Sequence, residues 1–348
     1  MKAALFLGPE RIEVRNIETP HVKKPYEVLV KINACAICGS DIRIFHYGDS
    51  RVKPPAILGH EIAGEVVEVG SSVTRFKVGD RVAIGADVPC GSCNMCIRGL
   101  SNMCPNHYAI GFQFPGGFAE YILLNEITVK NGPVHHIPEN VSNKLATLAE
   151  PLACCLNGLE LANLSVGENV VVFGLGAMGC LLIELARYMG AGKIIAIQRS
   201  RKRLMMVQQL GVPADIFICS EQEDPVMRVL EETEGEGAQV IIVACPSIEA
   251  QEQALNIVAR RGRINFFAGL PPNSGPIKVN SNIIHYREAT ILGSHGSTPY
   301  QHKMALQLLS RDMKRIERYL THEFPLENLV EAFQAMEKRD SIKAAIRP

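Results

Sequence analysis

Cys90, Cys93, Cys96 and Cys104 stand within fifteen residues, in a segment bent by Pro89, Gly91 and Gly99. Four thiolates at such spacing can surround one Zn²⁺ tetrahedrally, and a shell filled by sulfur leaves no position open, so the lobe reads as a structural zinc site. An iron–sulfur cluster or a redox dithiol is the chemical alternative. Cys154, Cys155, Cys180, Cys219 and Cys245 read as buried thiols packing like small hydrophobes, and so does Cys35, which fits no ligand pattern. A second set of metal-ligating types is dispersed. Cys38 stands in Cys38-Gly39-Ser40-Asp41, His60 and Glu61 in Gly59-His60-Glu61-Ile62-Ala63-Gly64, and Glu150 in Ala149-Glu150-Pro151-Leu152. Taken singly, a Cys or His is more often structural than a ligand, and a Glu beside Pro is usually a turn carboxylate. Spacing alone does not bring these groups together.

A third constellation is glycine-rich. The apolar run Val170–Phe173 leads into Gly174-Leu175-Gly176-Ala177-Met178-Gly179, followed by an apolar helical stretch to Met189. The strand–loop–helix setting is what a dinucleotide fingerprint requires. Gly174 permits the tight turn, Gly176 lets the backbone approach a pyrophosphate, and Gly179 allows close helix–strand packing. The helix N-terminus adds N–H donors and partial positive charge. In such units the second strand usually ends in an acid that holds the adenosine ribose and repels a 2′-phosphate. Here it ends at Gln198, followed by Arg199-Ser200-Arg201-Lys202-Arg203. Arg199 is placed to pair with a 2′-phosphate and Ser200 to donate one hydrogen bond, so NADP(H) is favoured over NAD(H). Solvated charge at a helix start is the plainer reading of Arg201, Lys202 and Arg203, but first-turn cations oppose the helix dipole, so a phosphate partner explains some of them better and Arg203 joins Gln198, Arg199 and Ser200 in the expected cofactor-binding set.

The elements that position these groups fall into two textures. Up to Val141 the chain reads as short alternating strands punctuated by Gly and Pro, among them Glu27–Asn33, Glu61–Val69 and Asp80–Ile84. From Asn143, apolar runs (Asn169–Phe173, Lys193–Ile197, Gln239–Ala244, Arg263–Ala268) alternate with helical stretches (Ala177–Met189, Arg201–Leu210, Ile248–Ala259). That alternation signals βαβ units and a parallel sheet covered on both faces. Around Asn282–Ser294 the pattern is mixed, and it continues through a helix near Gln301–Ser310 to a strand at Ala344–Ile346. The expected fold is α/β: a discontinuous β-rich domain, 1–142 with 286–348, interrupted by a doubly wound dinucleotide-binding domain, 143–285.

Composition sets limits. The 348 residues are 47% hydrophobic and 21% charged, with 36 basic and 36 acidic side chains. This suits a globular core and offers no long-range attraction for nucleic acid or an anionic membrane. The opening Met1–Leu7 run ends at Gly8-Pro9, too short for a signal-peptide core, and no apolar run reaches the ~18 residues a membrane span needs. An odd count of eleven cysteines argues against a disulfide framework. A soluble cytoplasmic protein without nucleic-acid or membrane partners is expected.

Gly59-His60-Glu61-x2-Gly64-x-Val66-x2-Val69-Gly70 resembles the signature of the medium-chain zinc-dependent alcohol dehydrogenases. The Cys38 segment, the cysteine lobe and the Gly174–Gly179 loop follow in that family's order. Glu150 in a Glu-Pro-Leu context resembles the sorbitol (L-iditol) and polyol dehydrogenase branch. The resemblance implies a GroES-like catalytic domain plus a Rossmann domain, with the active site in the cleft between them. It also implies two zinc ions per chain, one held by Cys38, His60 and Glu61 with water, where Glu150 ligates the metal or holds its water. Zinc then acts as a Lewis acid on a secondary alcohol, the nicotinamide accepts a hydride, and the product is a ketone. Ser40 matches the hydroxyl that accepts the alcohol proton, and Lys343 joins the expected cofactor-binding set. A homodimer or homotetramer is implied. Two positions depart from the pattern. Arg43 stands where alcohol dehydrogenases carry a relay His, and it cannot serve as a base at neutral pH, which leaves Glu150 through water as another route. His285-Tyr286 aligns with an Arg-Tyr pair of the sorbitol dehydrogenases. Within enzymes the alternatives are an L-threonine 3-dehydrogenase or a simple alcohol dehydrogenase. Outside that class stand a zinc-ribbon interaction protein, opposed by the neutral charge, and a dinucleotide binder without catalysis, opposed by intact Cys38, Ser40, His60 and Glu150.

Overall fold

The computed structural model describes residues 1–271 and 274–348. The chain forms two compact units, Met1–Ala153 with Gly296–Pro348, and Cys154–His295. Both boundaries fall later in the chain than the expected cuts at 143 and 286.

The first unit is built on antiparallel strands, except that Leu320–Pro325 pairs parallel with Lys343–Arg347. Its larger sheet runs in the order Val134–His136, Arg81–Ile84, Glu61–Val69, Val28–Ala36, Lys343–Arg347, Leu320–Pro325, with Tyr121–Leu124 also pairing with Val28–Ala36. A smaller sheet orders Arg11–Asn16, Lys2–Gly8 and Ala56–Ile57. Valine and isoleucine dominate the inner positions because branched side chains pack well on a pleated surface. Val28, Val30, Ile62, Val66, Val82 and Ile84 are buried in one cluster with Phe6, Phe118 and Phe333. The pairing of Val28–Ala36 with Glu61–Val69 places Ala36 opposite Glu61 and Cys35 opposite Ile62. The last strand joins with Ala345 opposite Ala36 and Ile346 opposite Cys35. These three strand ends carry the candidate site. Asp87–Val88 pairs with Tyr108–Ala109 and closes the base of the cysteine lobe.

The second unit is a six-stranded parallel sheet. Its spatial order is Ile216–Cys219, Ile194–Gln198, Val170–Phe173, Ala238–Val243, Val258–Phe266, Thr290–Gly293. In chain order that is third, second, first, fourth, fifth, sixth, the doubly wound order of dinucleotide-binding folds. All four residues of Val170–Phe173 are buried, as a central parallel strand covered on both faces requires. The chain is thus an α/β protein with a GroES-like β-rich unit and a Rossmann unit.

Three elements differ from expectation. The helix from Ile248 ends at Asn256, not Ala259, because Val258 and Ala259 open a strand that runs to Phe266. Ile257 and Val258 form a β-branched pair that suits a strand better than a helix end. The stretch that looked mixed resolves into a helix, Ser281–Arg287, and the strand Thr290–Gly293, so the parallel alternation runs past residue 285. The strand Ile216–Cys219 and the helix Pro225–Glu232 were not singled out in the sequence. No helix among the described residues is long and apolar enough to cross a membrane.

Candidate active site

Cys38 caps the N-terminus of the helix Gly39–Tyr47, two residues beyond the strand that ends at Ala36. The register above brings it against the start of the neighbouring strand, where His60 and Glu61 sit. The ligand atoms of Cys38, His60 and Glu61 all lie within 4.8 Å of one another. His60 and Glu61 are buried, and His60 Nδ1 and Glu61 Oε2 have no hydrogen-bond partner. Buried polar atoms left unpaired are costly, and ligand atoms this close together can share one cation. Burial opposes protonation of His60, yet the charges of Asp41 and Cys38 outweigh it and raise its pKa well above the usual value. The negative charges of Asp41 and Cys38 thus favour positive charge at His60. One sulfur, one imidazole and one carboxylate suit Zn²⁺ and leave room for a fourth ligand.

Around this set the structure adds a shell that the motifs did not identify. Asp41, fully buried at the third helical position, accepts from Cys38 N at 2.9 Å and from Gly59 N at 3.2 Å, tying the two ligand-bearing segments together. Its Oδ1 stands 3.6 Å from His60 Nδ1. The sequence signal was available: an acid three residues after a cap position commonly reaches back to the cap N–H. Lys343, expected at the cofactor, has its ammonium committed to Glu61 Oε1 at 2.6 Å. Glu150 lies in the first turn of the helix Ala149–Leu161 and is buried, but outside the group whose ligand atoms meet. Burial pushes its pKa up to about 7; His60 pulls it down, and Glu61 and Asp87 push it up. A Cβ on Gly85 would stand 3.0 Å from His302 Cδ2 and 3.3 Å from Glu150 Cγ, so that glycine lets both side chains approach. His302 is buried and its Nδ1 shares a 3.0 Å hydrogen bond with His135 Nδ1. Burial holds both imidazoles neutral, His135 down to about 3. Ser40 is half-buried in the first turn of the helix Gly39–Tyr47, and Arg43 of that helix donates to Asp49 Oδ2 at 2.9 Å.

The lobe cysteines come together as a group. Sγ separations are 3.5 Å for Cys93–Cys96, 3.7 Å for Cys93–Cys104 and 3.9 Å for Cys90–Cys96. A tetrahedron with Zn–S bonds of about 2.3 Å has edges of about 3.8 Å, so the four sulfurs fit one ion.

In the second unit, Gly174 has φ 89° and starts the loop after Val170–Phe173. Gly176 caps the helix Ala177–Tyr188 and faces open space, where a backbone N–H can meet a phosphate. A Cβ on Gly179 would fall 1.9 Å from Gly174 O, so only glycine allows this crossing. Ala177 and Met178 are half-buried in the first turn. Leu175 is buried, and its N–H donates to Gln198 Oε1 at 2.9 Å. Leu175 N–H and Gln198 Oε1 thus brace the loop internally. Arg199 is exposed and loosely faces Glu221 at 3.8 Å, and Ser200 caps the helix Arg201–Gln209. Arg203, expected in the cofactor-binding set, is buried, with Nη1 3.6 Å from Met206 Sδ, while Arg201 and Lys202 are exposed. His285 and Tyr286 pack edge to face on the helix Ser281–Arg287 of this unit, and Tyr286 is exposed.

A doubly wound sheet with a braced glycine loop, in a chain that also holds two metal cradles, defines an oxidoreductase of the zinc-binding dehydrogenase class. Residues 24–138 match the alcohol dehydrogenase GroES-like domain and residues 177–311 the zinc-binding dehydrogenase domain. The chain belongs to the medium-chain zinc-dependent alcohol dehydrogenase family. An L-threonine 3-dehydrogenase of Bacillus licheniformis is 32% identical over 95% of this chain and 94% of that protein. A D-arabitol-phosphate dehydrogenase of Enterococcus avium is 32% identical over 92% and 89%. The solved structure of a zinc-binding dehydrogenase from Sinorhizobium meliloti bound to NADP superposes with a TM-score of 0.90, at 29% identity over 100% and 99% of the two chains.

Proposed function

We propose that the protein oxidises a secondary alcohol, a polyol or sugar derivative, to the ketone with NADP⁺ as the favoured acceptor. Catalysis would take place at a zinc ion held by Cys38, His60 and Glu61, while a second, closed zinc holds the lobe. The observation that carries the reading is that the Cys38, His60 and Glu61 ligand atoms lie within 4.8 Å of one another, with His60 and Glu61 buried. Cys38, His60 and Glu61 would hold a zinc ion, which would supply Lewis-acid polarisation of the substrate hydroxyl, and a bound nicotinamide would supply the hydride acceptor. The chain's own residues do the rest. Asp41 fixes Cys38 and Gly59, and therefore the ligand geometry. Ser40 would accept the hydroxyl proton as it hands its own on to water, and Glu150, whose pKa is raised to about 7 by burial, would take that proton through water. Arg43, cationic and engaged with Asp49, takes no proton.

For the cofactor, the exposed Arg199 supports the NADP⁺ reading, since the second strand ends in Gln198 where an acid would hold the adenosine ribose. Purified protein screened with polyols, sugar phosphates, threonine and simple alcohols, with each cofactor, tests the whole reading. Turnover of secondary alcohols, with kcat/KM higher for NADP⁺ and lowered by Arg199→Ala, is expected. Short primary alcohols outrunning every polyol and sugar derivative would overturn the substrate reading, and a higher kcat/KM with NAD⁺ the cofactor reading.

A further inference from the structure

Across the Phe112 ring from His60 lies a cationic cluster that the proposed reaction does not use. Asp49 and Arg51 lie in the segment between the helix Gly39–Tyr47 and the strand Ala56–Ile57. Arg51 grips Asp49 in a fork, Nε to Oδ1 and Nη2 to Oδ2, both at 3.0 Å. Asp49 Oδ2 also accepts from Arg43 Nη2 at 2.9 Å. One carboxylate therefore holds two guanidiniums, and the trio carries a net positive charge. The Arg51 hydrogen bonds, with help from Arg43, keep the Asp49 carboxyl well below the usual carboxylate range, so this charge balance holds across the physiological range. The Arg51 guanidinium carbon stands 4.2 Å from the centroid of the Phe112 ring. The same ring lies 5.9 Å from the ring of His60. Among the described residues Arg51 Nη1 donates to no protein acceptor, and the Arg51 and Arg43 side chains are 37% and 47% exposed.

A guanidinium fixed on one edge by a carboxylate and on its face by an aromatic ring is preorganised, and its remaining N–H groups suit a planar or tetrahedral oxyanion. We propose that Arg51, positioned by Asp49 and Phe112 and reinforced by Arg43, selects a substrate whose secondary alcohol is joined by a short carbon chain to an anionic terminus, phosphate or carboxylate. The proposal rests on the alcohol being oxidised at Cys38, His60 and Glu61. The two separations laid end to end are the most that can part the Arg51 guanidinium from the His60 ring, and a chain of about four to six carbons covers that span. A neutral polyol of the same length would reach Arg51 without gaining a charge-assisted hydrogen bond.

The test compares matched substrates and a ligand that cannot react. Native protein, Arg51→Gln and Arg51→Lys are assayed with a neutral pentitol, the same pentitol as its terminal phosphate, and 3-hydroxybutyrate as the carboxylate. Binding of propyl phosphate, which has no secondary hydroxyl, is measured by calorimetry on each variant, after thermal unfolding has shown that the variants are folded. The native protein should prefer an anionic substrate, and the arm that wins identifies phosphate or carboxylate. Arg51→Gln should lower the anionic-to-neutral kcat/KM ratio at least tenfold, mainly through KM. It should also weaken propyl phosphate at least tenfold, with Arg51→Lys falling between. A neutral pentitol outrunning both anions in the native protein, or propyl phosphate binding Arg51→Gln as tightly as the native chain, would overturn the proposal. If no alcohol is oxidised, the proposed reaction fails, while the calorimetry still decides whether Arg51 is an anion receptor.

Discussion

Removing the ammonium of Lys343 probes the electrostatics of the candidate metal site without touching a ligand. Lys343 Nζ and Glu61 Oε1 lie 2.6 Å apart, with side chains 3% and 0% exposed. Burial opposes the lysine charge, but Glu61 and Cys38 outweigh it and raise its pKa, so the ammonium stays charged. Glu61 Oε2 has no other partner. In Lys343→Met the carboxylate is left buried and uncompensated, a loss of about 3–5 kcal/mol in comparable buried pairs. At about 2–4 °C per kcal/mol for a unit of this size, the metal-free protein should melt about 6–20 °C lower than native. Zinc at Cys38, His60 and Glu61 would restore positive charge beside Glu61, so the deficit should fall to less than half after loading. Adding Glu61→Gln to the metal-free variant should recover most of the loss, because the carboxylate left without its lysine is then gone. Scanning calorimetry of metal-free and zinc-loaded samples measures all of these. A metal-free Lys343→Met melting within about 2 °C of native, or an equal deficit with and without zinc, would refute the reasoning.

Gly179→Ala places a methyl 1.9 Å from Gly174 O, so the glycine loop must move, and dinucleotide affinity measured by fluorescence titration should fall more than tenfold. Cys104→Ser should lower the zinc content by about one ion per chain in elemental analysis and open Cys90–Cys104 to proteolysis, leaving the second unit folded. His46 bridges Glu10 and Glu337, each ring nitrogen 2.5 Å from a carboxylate oxygen, and these hydrogen bonds raise its pKa. Its contribution is full below the unfolded pKa of about 6.5 and is lost as pH rises through the raised folded value. His46→Gln should therefore cost about 0.5–2 kcal/mol in denaturant unfolding at pH 5.5 and markedly less at pH 9, since two partly exposed pairs are involved. An equal cost at both pH values would contradict that sign.

Local chemistry was legible because it is written in short spacings. The Cys90–Cys104 lobe needs only the reach of one loop, and its sulfurs stand at the separations a single ion requires. The glycine loop is likewise a strand–turn–helix whose steric demand, Gly179 against Gly174 O, lies within six residues. The strand Glu61–Val69 and the helix starting at Ala177 follow from period and flanking glycines. Element ends were less legible: whether Val258 closes a helix or opens a strand depends on the pairing of Ala238 with Val258 across the sheet.

The candidate catalytic set was decided by tertiary structure. Nothing in the separation of Cys38 from His60 brings them together; the antiparallel register that sets Ala36 opposite Glu61 does. Lys343 reaches Glu61 from the far end of the chain because its strand joins Val28–Ala36. Arg51 over Phe112 and His302 against His135 are likewise contacts between segments with no shared motif. Residue types and short-range periodicity determine which chemistry is available and which elements form, since both depend on neighbours along the chain. Which buried charges face one another depends on strand register, and that is selected by the packing of the whole sheet.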